Sequence, residues 1–306
     1  MTTSENSAIA TAPEVNDARE APPKMPLSDE RQREIAATLG DLPALPEVAL
    51  QAMRLADDPD WDLRKLDVSI RRDQALAARF LRLANSAFFG ARCSVKTLDR
   101  AINLVGITRV RSVLLASALE GLHESKKSNF KGKVLWEHAL ATGCVSQHLA
   151  TKHRLCDPEE AFMAGLLHDI GRPVMDHVFK AQYAEVIDMV ANDVAASFLS
   201  AEQRVFRFDH TDVGFVVVTA WDFPAAIAEA IRFHHDPTMA EVHAPLCATI
   251  SLANSMCVKA ELGPDAQPDL DLTTLPSAGI LQLEAQVDGL MEQVPGIVEK
   301  ANALDT

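Results

Sequence analysis

The sequence predicts an all-α protein. Alanine and leucine are abundant, the chain has one tyrosine, and apolar residues that alternate with polar ones in the manner of a strand are scarce. Apolar residues instead recur at helical spacing between proline and glycine breaks. The short run 215–219 could be a strand, but it lies between helical patterns, and we find no internal repeat. With 306 residues, the chain can form one large domain or two small ones.

Composition excludes several classes of protein. The formal charge of -14 argues against general nucleic-acid binding. No apolar run is long enough to span a membrane, and the start of the chain lacks the order of charged and apolar residues of a signal peptide. The five cysteines are scattered and form no paired motif, which is typical of reduced residues in a cytoplasmic protein.

The first half of the chain predicts a leader followed by a helical bundle. Residues 1–34 are rich in Ala, Pro, Ser, Thr and Glu without an apolar period, which predicts a disordered leader. Residues 35–130 are predicted to form the bundle, with a polar connector at 121–132 as the boundary. Its elements are a rigid entry at Leu42–Pro46, helices over about 46–56, 62–71, 74–85, 95–105 and 107–119, and a loop at 86–94.

The second half, residues 131–262, is predicted to consist of helices that carry histidines. His138 lies on the apolar face of a helix that begins near Val134. Asp209–His210 starts another helix, and His234–His235 ends the helix that Pro224 opens. A helix over about 180–194 and one opened by Pro245 complete this half. Residues 263–306 are predicted to be an acidic linker and one amphipathic helix with an apolar stripe: Leu283, Val287, Leu290, Met291 and Val294.

The stretch from Leu166 to Arg172 contains a histidine followed directly by an aspartate, His168–Asp169. Asp157–Pro158 marks a helix start upstream, Gly171 a stop, and Pro173 cannot continue the helix. The pair should therefore close a buried helix, where an ionised aspartate is costly unless a cation or a hydrogen-bond donor pairs with it.

The histidines resemble the metal ligands of the HD superfamily of metal-dependent phosphohydrolases. In that superfamily, helices supply His, His-Asp, further His residues and a final Asp to one or two ions. The resemblance implies a site made by His138, His168, Asp169, His210, His234, His235 and Asn254. Imidazole and carboxylate together suit a divalent transition metal (Fe, Mn, Zn or Ni), and Asp169 could bridge two ions.

Five motifs along both halves of the chain make it similar to the HDOD family. These motifs lie at Leu42–Pro46, Arg79–Gly90, Ala101–Gly106, Leu135–His138 and Ala164–Gly171. The resemblance covers roughly residues 38–260. It implies an HD-like helical bundle with an additional N-terminal helical bundle. It also implies a bacterial regulatory module that acts, without hydrolysis, through protein contacts with signalling proteins such as components of a cyclic-dinucleotide pathway.

One position departs from an active site of the HD type, and two further features differ from related hydrolases. Asn254 stands where the pattern ends in Asp, so the group of His138, His168 and Asp169 loses an anionic ligand. Arg172 stands where related hydrolases often have Lys, and it could hold a phosphate. The Gly-Tyr-Pro of related cyclic-dinucleotide phosphodiesterases is absent, since Asp236–Pro237 follows the histidine pair.

Two hypotheses therefore stand. The first is a non-catalytic signalling module, in which the histidines form a polar core or hold one metal. The second is a metal-dependent phosphohydrolase that acts on a nucleotide or a cyclic dinucleotide, with Asp169 and Arg172 as its active residues.

A basic segment within this acidic chain offers a second candidate site. Residues 61–111 contain eleven Lys or Arg and four Asp. A solvated helix face explains such a segment. The alternative is a patch that binds an acidic partner or an anion through Arg71, Arg72, Arg79 and Arg82.

Overall fold

The computed structural model describes residues 27–40, 70, 74–86, 88, 95–123, 129 and 132–302, and the regular structure in these ranges is helical. The first part contains α1 (Asp29–Leu39), α2 (Gln74–Ala84), α3 (Leu98–Val105) and α4 (Ile107–His123). The predictions that fall on 41–69, including the rigid entry and two helices, lie outside the described residues, as do Arg71 and Arg72.

The second part begins at residue 132 and contains most of the helices. They are α5 (Gly132–His153), α6 (Pro158–Leu167), α7 (Gly171–Val178), α8 (Lys180–Ala191), α9 (Phe198–Phe206), α10 (His210–Ala220), α11 (Ala225–Phe233), α12 (Ala244–Lys259), α13 (Pro276–Leu281), α14 (Val287–Met291) and α15 (Val294–Asn302). Short 3-10 helices lie at Pro237–Met239 and Leu272–Thr274. The all-α prediction is confirmed.

α1 begins within the segment that the sequence assigned to a leader. The Ser28 side chain accepts a hydrogen bond from the Arg31 backbone N–H, which caps the helix, and Ile35 and Leu39 are buried. The helix packs against α10 in the second half of the chain. Residues 29–34 are therefore helical, because a cap and two apolar positions one turn apart suffice for a helix that a neighbour covers.

α2, α3 and α4 pack against one another and bury Leu76, Phe80 and Leu83 as the apolar spacing predicted. α3 begins at Leu98, three residues later than predicted. Glu159, in the first turn of α6, accepts hydrogen bonds from Ser112 of α4 (2.7 Å) and Gln147 of α5 (2.9 Å). This carboxylate therefore links the first half to the second.

α5 is the central helix, and it packs on α4, α6, α12 and α15. Its closest neighbour is α6, because Gly143 and Gly165 face each other where the helices cross. A Cβ at Gly165 would lie 2.9 Å from the Gly143 Cα, so side chains there would push the helices apart. The crossing brings the end of α6 against the buried face of α5.

The segment after residue 262 packs on the second half and is not a separate linker. The single helix predicted over 283–294 is wrong. The chain forms α13, α14 and α15, with Leu283 buried between α13 and α14 and with Gln282 at φ +57. α13 packs on α12, whereas α15 packs on α5. Burial against two different helices therefore breaks the predicted single helix into shorter ones.

No helix among the described residues is long and apolar enough to cross a membrane.

Candidate metal centre

His168 and Asp169 lie in the turn between α6 and α7. Asp157 caps α6, its side chain accepting from the N–H groups of Glu159 and Glu160, as the sequence predicted. Gly171 does not end the helical path, however, because α7 begins there and includes Pro173. The helix before the pair does end ahead of Gly171, at Leu167, as predicted, but α7 was not predicted; Pro173 fits in its first turn because that position needs no N–H.

Gly171 also permits a close approach to α10. A Cβ at this position would overlap the backbone carbonyl of His210. The glycine thus brings the start of α7 against the start of α10, where His210 lies one residue after its cap Asp209.

The carboxylate of Asp169 lies between two groups of histidines. On one side, its Oδ1 is 3.3 Å from His210 Nε2 and 3.7 Å from His234 Nε2. On the other side, its Oδ2 is 3.5 Å from His168 Nε2 and 3.8 Å from His138 Nε2. His235 joins the first group, with its Nε2 3.1 Å from the Nε2 of His210. All these side chains except His235 are buried.

Backbone carbonyls set the tautomer of three of the histidines. A carbonyl oxygen only accepts, so each ring must donate from Nδ1, which leaves Nε2 as a bare lone pair facing Asp169. The contacts are His138 Nδ1–Leu262 O at 2.8 Å, His168 Nδ1–Gly165 O at 2.7 Å and His234 Nδ1–Ile231 O at 2.8 Å.

These residues fit a divalent transition metal. Three buried atoms of the centre have no hydrogen-bond partner among the described residues: Nε2 of His168, Nε2 of His234 and Oδ1 of Asp169. Each presents a lone pair to the others, so none can donate a hydrogen bond. Ligand atoms about 2.0–2.2 Å from one metal are about 3.0–3.5 Å apart. The distances of 3.1 Å and 3.3 Å around His210 match this spacing, so a cation on the Oδ1 side would satisfy Asp169 Oδ1 and His234 Nε2.

Burial keeps the imidazoles in the neutral form that binds metals. It lowers the pKa of His168 to about 4, and it lowers the pKa values of His138 and His234 as well. Burial alone would raise the pKa of Asp169, but Arg172 and the histidines outweigh it and hold that pKa well below its usual value. The centre therefore combines an ionised carboxylate with three neutral imidazoles, those of His138, His168 and His234.

Sequence reasoning missed Glu202, which lies behind His210. It belongs to α9, a helix that was not predicted. Its Oε2 accepts from the Nδ1 (2.6 Å) and the backbone N–H (2.8 Å) of His210, and its Oε1 accepts from the Tyr183 hydroxyl (2.5 Å). Burial lowers the pKa of His210, but Glu202 outweighs it and the net shift is upward. Ser197, whose hydroxyl caps α9, is the sequence signal that could have revealed this helix.

Arg172 lies on the Oδ2 side of the same carboxylate. Its Nε is 3.1 Å from Asp169 Oδ2, and its Nη2 is 2.6 Å from Oδ2 of Asp265, a second residue that sequence reasoning missed. Burial lowers the pKa of Arg172, but the two carboxylates reverse this effect and raise it. A fixed positive charge thus lies beside the His138 and His168 group.

The remaining predicted residues have less direct relations to the centre. Asn254 is buried on α12, and its Oδ1 has no hydrogen-bond partner among the described residues. Arg79 donates from Nε to the Ser117 carbonyl (2.7 Å), and Arg82 pairs with Glu120. These two arginines therefore contact α4 within the bundle, while each retains partial exposure.

The comparisons with known proteins agree with this architecture. A family model described as the HDOD domain matches residues 42–237, which is more than half of the chain. The chain belongs to the HDOD family. The metal-capable cluster of this HDOD protein lies within the matched range except for Asn254.

Solved structures and one curated relative resemble this HDOD protein over most of its length. An HDOD domain protein with unknown function from Geobacter sulfurreducens is 26% identical, with a TM-score of 0.77 over 90% of this chain and 96% of that chain. A protein of Shewanella amazonensis SB2B, named as a candidate phosphohydrolase, is also 26% identical, with a TM-score of 0.70 over 88% of this chain and 97% of that chain.

An uncharacterised protein of Treponema pallidum (strain Nichols) is 27% identical over 234 residues, which are 72% of this chain and 43% of the relative. The chain therefore spans less than half the length of this relative.

Proposed function

We propose that this HDOD protein is a regulatory signalling module that holds one divalent transition metal and does not hydrolyse a phosphodiester. The ligands would be Asp169 through Oδ1 together with His210, His234 and His235, whose metal-capable atoms lie within 4.8 Å of one another. When bound, the metal supplies a Lewis acid that joins the ends of α6, α10 and α11 and can attract an anionic group.

The observation that carries the proposal is the guanidinium beside Asp169 Oδ2. Arg172 Nε lies 3.1 Å from the oxygen that a second ion between His138 and His168 would need. An ion there would meet a fixed like charge, and the family pattern's final Asp is replaced by the uncharged Asn254. Two-metal hydrolases use both ions to hold the attacking and leaving oxygens, so the loss of one favours binding over hydrolysis.

A metal-dependent phosphohydrolase is the second candidate. It is favoured by the complete ligand set on the Oδ1 side and by the name given to the Shewanella amazonensis protein. A single bound ion can in principle support hydrolysis. The substrate would then be a nucleotide or a cyclic dinucleotide.

Metal content and turnover distinguish the two candidates. The purified protein would be saturated with Mn²⁺, freed of excess ion and analysed for metal per chain. The same sample would be assayed with a chromogenic phosphodiester and with a cyclic dinucleotide. We expect at most one equivalent of metal and no metal-dependent turnover. Two equivalents with metal-dependent turnover would overturn the proposal.

Asp169→Ala provides a second test. It removes the anionic ligand, and buried imidazole nitrogens that lose the metal with it are left unpaired, at about 1–3 kcal/mol for each group. We expect loss of metal and a lower melting temperature, whereas Asp188→Ala, on the exposed face of α8, should change neither. A fully stable Asp169→Ala protein that has lost a measurable hydrolase activity would support the second candidate instead.

The partners of the module would be signalling proteins, such as components of a cyclic-dinucleotide pathway. If an acidic partner binds the basic segment, charge reversal of Arg71 and Arg72 should weaken binding and reduce its dependence on salt. Binding that is unchanged by the reversal would leave this segment as a solvated surface.

A further inference from the structure

Asp265 lies in the loop after α12 and reaches the candidate metal centre from outside it. Its Oδ2 is 2.6 Å from Arg172 Nη2, and its side chain is 18% exposed, whereas that of Arg172 is 3% exposed. A carboxylate at the solvent boundary therefore closes on a buried cation that lies directly beside Asp169.

The loop forms an arch, residues 263–266, between two backbone anchors. Leu262 N–H donates to Cys257 O (3.0 Å) and Gln267 N–H to Val258 O (3.1 Å). Among the described residues, the arch is joined to the rest of the fold by one side-chain ion pair, between Asp265 and Arg172. The arch can thus lift while both of its anchors stay in place.

The arch covers the side of the centre that His138 lines. Gly263, at φ +111, lies so close to His138 that a Cβ there would be 2.8 Å from Nδ1. The carbonyl of the neighbouring Leu262 accepts from the same Nδ1 at 2.8 Å. The first residues of the loop therefore pack on a histidine of the centre, and Asp265 follows on its solvent side.

The guanidinium of Arg172 has donors that no described residue uses. Its Nε and Nη1 are buried without a hydrogen-bond partner, since the Nε–H is not aligned with Asp169 despite the short distance. The face of the Phe198 ring lies 5.2 Å from the guanidinium carbon and fixes its plane. An oxyanion with several oxygens could accept from two of these donors at once, which a single carboxylate oxygen cannot do.

We propose that Asp265 is an internal anion that occupies an oxyanion site on Arg172, and that a phosphate group displaces it and lifts the arch. The proposal rests on the proposed function, because a single metal leaves Arg172 available to a ligand. With the metal bound and the histidines neutral, Arg172 and the ion carry three positive charges, and Asp169 and the buried Glu202 carry two negative ones. Asp265 balances the remaining charge, and a phosphate group supplies at least that charge together with several acceptor oxygens for the guanidinium.

Phosphate binding by the metal-loaded full chain tests the proposal. Calorimetry with inorganic phosphate would compare the wild type with Asp265→Asn, which keeps the side-chain shape and removes the competing charge. We expect phosphate to bind Asp265→Asn at least tenfold more tightly. Asp269→Asn, an exposed acid of the same loop, should match the wild type. A difference of less than threefold between Asp265→Asn and the wild type would overturn the proposal.

Arg172 must be the site of this binding. Adding Arg172→Gln to Asp265→Asn should abolish the gain in affinity, and an unchanged affinity would place phosphate elsewhere and overturn the proposal. Adenosine monophosphate in a parallel titration separates the sources of the phosphate. Tighter binding than inorganic phosphate would indicate a nucleotide, and equal binding would indicate that the phosphate alone is recognised.

Amide hydrogen exchange gives a readout in the wild type, independent of whether any variant folds. Phosphate should speed the exchange of the arch amides of Gly263, Asp265 and Ala266 and leave the anchor amides of Leu262 and Gln267 unchanged, although a ligand normally slows exchange near its site. Slower or unchanged exchange at saturating phosphate would overturn the proposal. Metal content and turnover in the same samples keep the two proposals separate. Two equivalents of metal with turnover would refute the proposed function, whereas one equivalent without a phosphate effect would refute only the displaceable arch.

Discussion

Glu202→Gln should weaken metal binding while leaving every predicted ligand in the chain. Glu202 is fully buried and holds His210 through two hydrogen bonds of 2.6 Å and 2.8 Å. The carboxylate favours donation from Nδ1, which directs the Nε2 lone pair of His210 toward Asp169 and His235. A neutral amide keeps the shape of the side chain, but it weakens both contacts and can present its NH₂ group to the ring.

The size of the effect follows from these contacts. A hydrogen bond to a charged group contributes about 1.5–3 kcal/mol, and one between neutral groups about 1 kcal/mol. Replacing the charged carboxylate by a neutral amide in both hydrogen bonds to His210 therefore weakens them by about 1–4 kcal/mol in total. Residues that orient metal ligands typically change affinity about 10–100-fold, which lies within this range. We expect a loss of affinity of that size.

Competition between the protein and a chromophoric chelator for Zn²⁺ would measure the affinity. Tyr183→Phe is the matched control, because it removes the third hydrogen bond of Glu202 and keeps the carboxylate on His210. It should retain affinity within about threefold, since both bonds to the metal ligand survive. A folded Glu202→Gln protein with wild-type affinity, or equal losses in both variants, would refute this account of His210.

Three further predictions concern stability. Acidification should destabilise the protein, because the pKa of His168 is about 6.5 in the unfolded chain and about 4 in the fold. Protonation of His168 alone should lower the free energy of unfolding by about 3 kcal/mol as the pH falls between these values. Equal urea midpoints at pH 7 and pH 5 would contradict this. Gly171→Ala should lower stability by more than about 3 kcal/mol or prevent folding, whereas Gly289→Ala, with open space around it, should raise the melting temperature slightly. Arg82→Glu would place a second carboxylate beside Glu120, so its melting temperature should fall, and an unchanged value would show that the pair contributes nothing.

Cap residues and prolines predicted several helix starts of the second half, because they act on the backbone within a few residues of their own position. Asp157–Pro158 starts α6, Asp209 caps α10 and Pro224 precedes α11, each as the local pattern indicated. Gly171 and Pro173 marked the end of α6 but gave no warning of α7, since a proline that cannot continue one helix can equally lie in the first turn of the next. The apolar stripe over 283–294 predicted one helix where the chain forms several short ones. Different neighbouring elements bury different parts of the stripe, so the chain changes direction between them.

The residue types of the metal-capable cluster were readable from the chain, because a histidine or aspartate at a helix end is visible without knowing its neighbours. The positions of His168, Asp169, His210 and the histidine pair at 234–235 therefore followed from helix boundaries alone. The fold decided which atoms meet: Oδ1 of Asp169 faces one pair of imidazoles and Oδ2 another. It also decided the charges around them. Glu202 comes from a helix that was not predicted and Asp265 from a loop, and neither position carries a local signal of its partner. Hydrogen bonds and ion pairs between distant segments depend on packing of the whole chain, and packing has no period in the sequence.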